Sequence, residues 1–320
     1  MTDHFIKYIE IKDFKCFDDF KTEGLAQINL IGGKNNVGKT AFMEVCYINS
    51  HAQTIKSFTA ALHSIKFMRE NINILLESIT NDTKIFLEKS NHYFSKSNIN
   101  TAHFKINDSE GVKKYLFKYN NETIETNLND FSFETSHIEN INFIDSFGFS
   151  NSEIIQNYSY VQKKDEEQTL NAILNQLDNR IATFKIINDK PQCKVNDIYH
   201  ELTELGDGVR HLVSIVTSLY SSEYGYLFID EIDNGIHYTM LDKVWEIILT
   251  LAKQLNVQVF ATTHSKECIE SYGRVAEELK FKHINYTTLV RKKSGEIVAA
   301  NYNYDLLLST LEQDHEVRGW

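Results

Sequence analysis

The stretch AQINLIGGKNNVGKTAFMEVCYI, residues 26–48, decides the reading of the chain. Residues 26–31 are a compact apolar run of strand composition, Gly33 to Thr40 fit G-x-x-x-x-G-K-[ST], and residues 41–48 have helical composition without a breaker. A strand, a glycine loop and a helix in this order make an anion cradle. The glycines let backbone N–H groups turn inward around phosphate oxygens, and the helix N-terminus adds a favourable dipole. Lys39 then reaches the β- and γ-phosphates of a nucleotide, and the Thr40 hydroxyl binds Mg²⁺. The competing reading is a plain glycine-rich turn. A chance match in a chain of this length is on the order of one in a hundred, and the flanking strand and helix lower that further.

Before this stretch, residues 5–14 alternate apolar and polar as a half-buried strand, and residues 16–20 make its antiparallel return. Beyond it, Phe58, Ala61, Ile65, Met68, Ile72, Leu75 and Ile79 recur three and four apart, a narrow stripe along one helix over residues 53–79. That stripe suits a helix packed on its own domain or one offered to a partner. Residues 101–133 hold short alternating runs around the turn signals Asn107-Asp108, Glu110-Gly111 and Asn120-Asn121, which predict a small antiparallel sheet. A strand at 141–144, a helix over 166–181 and a hairpin of 182–187 with 192–198 about Asp189-Lys190-Pro191 follow.

After Thr203 the pattern becomes the helix-strand alternation of a parallel sheet: helix 209–219, strand 226–230, helix 237–255, strand 257–262, helix 266–271. Leu241, Val244, Trp245, Ile248, Leu251 and Leu255 share one helical face, so Trp245 reads as core. Strands at 284–290 and 297–300 and a helix at 304–313 close the chain.

Three further motifs carry chemistry. In YLFIDE, residues 226–231, an apolar strand delivers two acids to the ligand edge of a sheet; Asp230 suits the magnesium shell and Glu231 the orientation and deprotonation of a water. In QVFATTHS, residues 258–265, a further strand brings His264 to that edge, where an imidazole can hydrogen-bond a γ-phosphate or the lytic water; a lone histidine in such a place is commonly structural. In LGDGVR, residues 205–210, a glycine turn opens a helix, either a plain cap or a second anion-binding N-terminus offered to a nucleotide held by another copy.

Taken in order, the glycine loop, the G-D-G turn, the D-E strand and T-T-H-S resemble the ABC-type ATPase heads of the RecF, SMC and OLD (overcoming lysogenization defect) group. The likeness is nearest to the stand-alone bacterial AAA-family ATPases with G-x-N-N-x-G-K-T and D-E-I-x-N-G-x-H; it covers residues 1–60 and 200–275. It implies an α/β fold, an ABC-type P-loop NTPase with a mixed and parallel core sheet flanked by helices, an antiparallel β subdomain and a helical insertion. One ATPase domain would span 1–320: strands and P-loop in 1–55, the insertion in 56–200, and the signature, Walker B and switch-histidine lobe in 201–320. The resemblance assigns Lys15, Gly33, Asn35, Asn36, Val37, Gly38, Lys39, Thr40 and Ala41 to the nucleotide, and Gly206, Asp207 and Gly208 to a signature acting in trans. Thr40 and Asp230 hold the metal, Glu231, His264 and Lys39 are catalytic, and residues 234–237 form the D-loop, which includes His237. Two departures stand out: Gly206 occupies the place where the family commonly has serine, and neither Gln156 nor Gln162 can be assigned to the glutamine loop.

Composition narrows the setting. The 320 residues are 42% hydrophobic and 24% charged, an ordinary globular balance, and no uncharged apolar run approaches the ~20 residues of a membrane span, so a cytoplasmic location is expected. Cys16, Cys46, Cys193 and Cys268 lie far apart without a zinc or disulfide pattern. The formal net charge of -11 opposes broad adhesion to nucleic acid; the clusters Lys113-Lys114 with Lys118, and Arg291-Lys292-Lys293, read as solvated edges or as local DNA contacts. The middle segment holds no long heptad array, and residues 275–320 hold no carboxylate-rich nuclease module, so no nuclease activity is expected in this chain. The implied function is an ATP-hydrolysing head that forms a homodimer, or a higher even-numbered oligomer, around ATP and Mg²⁺. It would drive or gate a separate effector such as a nuclease or toxin, in anti-phage defence or DNA transactions. The alternative is an ATP-dependent regulatory scaffold with slow turnover that holds the effector in check.

Overall fold

The computed structural model describes residues 4–70, 92–109, 112–126 and 138–313. Two compact units divide the chain: residues 1–25, 35–138 and 289–301 form the first, and residues 26–34, 139–288 and 302–320 the second. The division falls within the glycine loop, after Lys34. Along the first part of the chain come β1 (Tyr8–Phe14), β2 (Phe17–Glu23), β3 (Ile28–Gly33), α1 (Lys39–His51), α2 (Ile55–Glu70), β4 (His92–Ser97), β5 (Thr101–Ser109), β6 (Val112–Tyr119) and β7 (Glu122–Thr126). All but β3 belong to the first unit.

In that unit six strands form an antiparallel sheet in the order β2-β1-β4-β5-β6-β7. The alternation read in the sequence decides the faces of the first part of β1, where Ile9 and Ile11 are buried and Lys12 is exposed; it breaks at Asp13, with φ 53°, after which Phe14 is buried. Phe58 of α2 packs edge-on to Phe117 of β6, whose ring lies 5.0 Å from that of Phe104 on β5. Phe58, Ala61 and Ile65 are buried, as a helix packed on its own unit requires; Ile72, Leu75 and Ile79 of the proposed stripe lie outside the described residues.

Strand β4, central to the sheet, carries no hydrophobic signal. Its inward residues are Tyr93, Ser95 and Ser97, and the two serines are buried because Asn49 of α1 satisfies them: Asn49 Nδ2 donates to Ser95 Oγ at 2.9 Å, and Ser97 Oγ donates to Asn49 Oδ1 at 2.8 Å. Two turn expectations are corrected. Asn107 and Asp108 pair with Lys114 and Lys113 inside β5 and β6, whose ladder runs on to Ser109 and Val112, whereas Asn120-Asn121 does form the β6–β7 turn. Glu110-Gly111 lies outside the described residues.

The second unit holds β3 together with β8 (Ile141–Ile144), α3 (Asn151–Lys163), α4 (Glu167–Leu177), β9 (Ile181–Ile187), β10 (Lys190–Val195), β11 (Ile198–Glu201), α5 (Asp207–Ser221), β12 (Tyr226–Ile229), α6 (Leu241–Leu255), β13 (Gln258–Thr262) and α7 (Lys266–Glu278). Strand β14 (Ile284–Arg291) belongs to it through Thr288, β15 (Ile297–Asn303) lies in the first unit through Asn301, and α8 (Tyr304–Glu312) ends the described chain. The strand order is β15-β14-β3-β13-β12-β8, with β3, β13, β12 and β8 parallel. β3, β12 and β13 are buried at every position, as parallel strands covered on both faces require. Phe228 stacks on Phe143 and Phe260 of the neighbouring strands, with centroids 6.1 and 5.2 Å apart.

The small β11-β10-β9 sheet turns at Asn188-Asp189, both with positive φ (50° and 55°), and not about Lys190-Pro191, which begin β10. Paired positive-φ residues make the two-residue turn whose twist suits a hairpin. Helix α7 runs on to Glu278, beyond the expected Ser271. No helix among the described residues is long and apolar enough to cross a membrane.

Trp245 is fully buried in the second unit, 4.6 Å from the Tyr272 ring, and its Nε1 donates to the Cys268 carbonyl at 3.2 Å. Trp245→Ala is expected to cost about 3–5 kcal/mol, read as a lowered denaturant midpoint, with Trp245→Phe costing less.

Candidate nucleotide-binding site

The glycine loop leaves the buried end of β3 and closes at Gly38, the N-cap of α1, with φ 103°. The first helical hydrogen bond runs from the Phe42 N–H to the Gly38 carbonyl at 2.8 Å, and no side chain caps the helix. A Cβ at Gly38 would stand 2.6 Å from Cys16 Sγ and 3.2 Å from Phe17 Cζ, so glycine is required here twice, by backbone conformation and by the close approach of the β1–β2 turn. Asn36 also has positive φ, 63°. Asn35 and Asn36 are exposed, Val37 and Ala41 point into the core, and Lys39 and Thr40 open α1, half-buried.

Lys15, in the β1–β2 turn, ion-pairs with the buried carboxylate of Glu44 on α1 and lies 5.4 Å from the Phe14 ring. Its ammonium is thereby tied to the helix that follows the glycine loop.

The second unit brings other expected residues to one sheet edge. Parallel register pairs Ile31 of β3 with Thr262 of β13, Ala261 with Ile229 of β12, and Ile229 with Ile144 of β8. Gly33, His264, Asp230 and Asp145 therefore end adjacent strands on the same side. The Asp230 N–H donates to the Ile144 carbonyl at 2.9 Å. Thr262 Oγ1 donates to Asp230 Oδ1 at 2.6 Å and accepts from the Glu231 N–H at 2.8 Å. Glu231 itself has φ 52°. Thr263 Oγ1 donates to Asp233 Oδ1 at 2.8 Å and accepts from the Ser265 N–H at 3.0 Å. Between these two buried threonines and α7, His264 is exposed.

Sequence reasoning missed Thr262, Thr263, Asp233 and Asp145. In the sequence the T-T pair reads only as the approach to His264, although a hydroxyl at each strand end is the available signal. Asp145 follows β8, the place next to the acid strand. Burial holds its carboxyl above the usual range, and the charges of Glu153 and Asp230 add to this, against hydrogen bonds from the Phe147 and Gly148 amides. Gln156 and Gln162 lie on exposed positions of α3.

The G-D-G turn and the expected D-loop meet. Gly206 caps α5, and a Cβ at Gly208 would stand 2.4 Å from the Gly235 carbonyl oxygen, so the two segments touch through bare backbone. Gly206, Asp207, Gly208, Gly235, His237 and Met240 line a cavity of about 290 Å³. Asn234 Nδ2 donates to the Ser146 carbonyl in the loop after β8, and His237 is exposed, its Nδ1 2.9 Å from Thr239 Oγ1. The basic clusters hold surface ion pairs: Lys114 with Glu125 at 3.7 Å and Lys292 with Glu296 at 3.0 Å.

Residues 164–270 match the family model described as "AAA domain, putative AbiEii toxin, Type IV TA system". A curated relative from Helicobacter pylori named "ATP/GTP phosphatase" is 24% identical over 369 residues, covering 98% of this chain and all of the relative. Two solved structures share the fold, both with a TM-score of 0.55. One is an Smc head bound to the C-terminal winged-helix domain of ScpA, 10% identical over 93% of this chain and 98% of its own. The other is an Smc head with an extended coiled coil bound to the C-terminal domain of ScpA derived from Pyrococcus furiosus, 9% identical over 97% and 99%. The fold is shared with the Smc heads, and the matched model and the relative support a class, an ATPase of the ABC/SMC-like P-loop type. Its mixed sheet and flanking helices are those of the SMC-type head.

His211 on α5 is buried, and desolvation lowers its imidazole to about 4 against a smaller opposing contact with the Ile232 backbone. The ordinary value is 6.5, so between these two pH values the unfolded chain binds more protons than the folded one. The stability that this neutral ring confers is present above pH 6.5 and lost as the pH falls towards 4, roughly 3 kcal/mol in all. Urea midpoints at pH 7 and 4.5 should therefore fall more steeply in the wild type than in His211→Leu.

Proposed function

We propose that this chain binds ATP in the Gly33–Thr40 loop, hydrolyses it to ADP and phosphate, and dimerises around the nucleotide to drive or gate a separate effector protein. The observation that carries the reading is the common strand edge: the start of the loop, the Asp230–Glu231 pair and His264 follow three adjacent parallel strands. Lys39 and the α1 N-terminus neutralise the phosphates, with the backbone of Gly33, Asn35, Asn36, Val37, Gly38 and Ala41 shaping the cradle. Glu231 accepts a proton from the attacking water, and His264 hydrogen-bonds the γ-phosphate.

The protein's donors suit Mg²⁺. Asp230 offers a carboxylate and Thr40 a hydroxyl, both hard oxygen ligands, and among the described residues no group of three or more His, Cys, Asp or Glu forms a dedicated metal cage. A cation that keeps its waters and shares phosphate oxygens fits such a sparse set. When bound it would neutralise charge developing on the phosphates.

The exposed Gly206 and Asp207, with Gly208, form the surface offered to the nucleotide of a second copy, and the D-loop lines the same cavity. Lys15, tied to Glu44, holds α1 in place and contributes positive charge near the loop. The toxin in the matched family's description, and the ScpA domains in the Smc structures, favour a protein effector as the second component. An anti-phage operon is the setting proposed for it. The glycine at position 206, which has no hydroxyl to offer a γ-phosphate, favours a second reading in which ATP chiefly holds an oligomer together and turnover is slow.

Lys39→Ala is expected to weaken ATP binding at least about a hundredfold in a fluorescent-nucleotide titration; retained affinity would displace the loop from its assigned role. Glu231→Gln should bind ATP normally, lose at least about a hundredfold in kcat and shift to a persistent dimer by light scattering. Normal turnover would remove Glu231 as the base, and ATP-driven assembly of the wild type without turnover would favour the scaffold.

A further inference from the structure

We propose that Thr262 is the positioning residue of the acid pair, its one hydroxyl fixing at once the Asp230 carboxylate and the backbone on which Glu231 stands. The inference rests on the ATPase reading above and deepens it. Thr262 ends β13, fully buried, on the strand between the one that feeds the glycine loop and the one that carries the acids. Its Oγ1 proton goes to Asp230 Oδ1 at 2.6 Å, and its lone pair receives the Glu231 N–H at 2.8 Å. The Thr262 carbonyl accepts from the Ile232 N–H at 3.0 Å. One residue therefore contacts three consecutive positions of the acid turn.

Two physical consequences follow. A carboxylate with one oxygen held by a short hydroxyl donor has a fixed rotation, so the direction in which Asp230 presents its lone pairs is set before any cation arrives. Glu231 has φ 52°, a region that a non-glycine residue enters at a cost, and its amide would be left without this acceptor if the hydroxyl were absent. Thr262 thus holds the catalytic backbone in an otherwise unfavourable conformation. Neither role needs contact with ATP. The buried methyl of the same side chain packs within the sheet, which separates a packing role from the hydroxyl's role by substitution: valine keeps the shape without the hydroxyl, and serine keeps the hydroxyl without the methyl.

The test uses the full chain as wild type, Thr262→Val and Thr262→Ser. Steady-state hydrolysis is measured across Mg²⁺ concentrations, and Mn²⁺ affinity with a non-hydrolysable ATP analogue is read by electron paramagnetic resonance. Thr262→Val is expected to lose at least about tenfold in kcat with KM for ATP within about threefold, and to bind Mn²⁺ several-fold more weakly. Thr262→Ser should stay within about threefold of wild type in both readouts. Equal losses in the serine and valine variants would assign the effect to packing and overturn the proposal, as would a folded valine variant with unchanged kcat and Mn²⁺ affinity. Should the valine chain fail to fold, the serine chain alone decides, since wild-type behaviour supports the hydroxyl and a large loss overturns it. A wild type that hydrolyses through Glu231 while Thr262→Val is unaffected sinks this inference alone; a wild type without hydrolysis sinks the reading beneath it.

Discussion

The parallel register of β3, β13, β12 and β8 is the constraint on which the second unit depends. Strands covered on both faces admit a polar side chain along their length only where hydrogen bonds satisfy it, as for Asn29 of β3, so chemistry collects where the hydrogen-bonded ladder ends. Each strand changes character at that point: Ile31 gives way to Gly32-Gly33, Ala261 to Thr262-Thr263-His264, Ile229 to Asp230-Glu231, and Ile144 to Asp145. Burial is the main reason the Asp145 carboxyl sits above the usual range, and the nearby charges of Glu153 and Asp230 add a smaller push in the same direction. Positive charge brought to the edge would relieve it, which is the electrostatic condition for a site that works with a cation and a nucleotide.

In the first unit the same logic appears inverted, with polar groups inside. Helix α1 is buried from Ala41 to His51, including Glu44 and Asn49. Each of these two has a specific partner: Lys15 for Glu44, and Ser95, Ser97 and Asn100 for Asn49. Unpaired, either group would cost several kcal/mol in such surroundings. The helix that follows the glycine loop is therefore held by directional bonds, and its register against β4 cannot slip without breaking them. The Lys15–Glu44 pair also limits what Lys15 can do for a nucleotide, because any phosphate contact must compete with a buried carboxylate.

Much of the molecule was legible where apolar periodicity and a motif coincide. The glycine loop, the acid strand and the T-T-H-S strand all sit at the ends of buried runs, and the structure places them on adjacent strands in one ladder. What stayed hidden lacked that coincidence. β4 turns two serines inward, and α3 buries Asn157 beside Ile154 and Tyr158, so neither shows a clean apolar stripe. The capping box of Ser150 and Glu153 could have announced α3, since its side-chain and backbone bonds are both made. The strand-end threonines Thr262 and Thr263 stayed hidden for another reason. A strand-end threonine has ordinary β propensity, and only the neighbouring strand reveals that its hydroxyl has two partners.

The missing hydroxyl at Gly206 gains meaning from its surroundings. Gly208 and Gly235 approach so closely that neither segment can shift independently, and Asn234 ties the second of them to the Ser146 carbonyl, one residue beyond Asp145. A continuous set of contacts thus joins the start of α5 to the strand edge that carries the acids, without passing through a side chain at position 206. Such contiguity is the physical precondition for coupling between an anion at the G-D-G turn and the geometry of the acid pair. The donors remaining at that turn are the backbone N–H groups of a 15-residue helix, whose dipole favours an anion irrespective of the residue at its cap. A glycine at position 206 offers no side-chain donor, and it leaves both the helix dipole and this set of contacts in place.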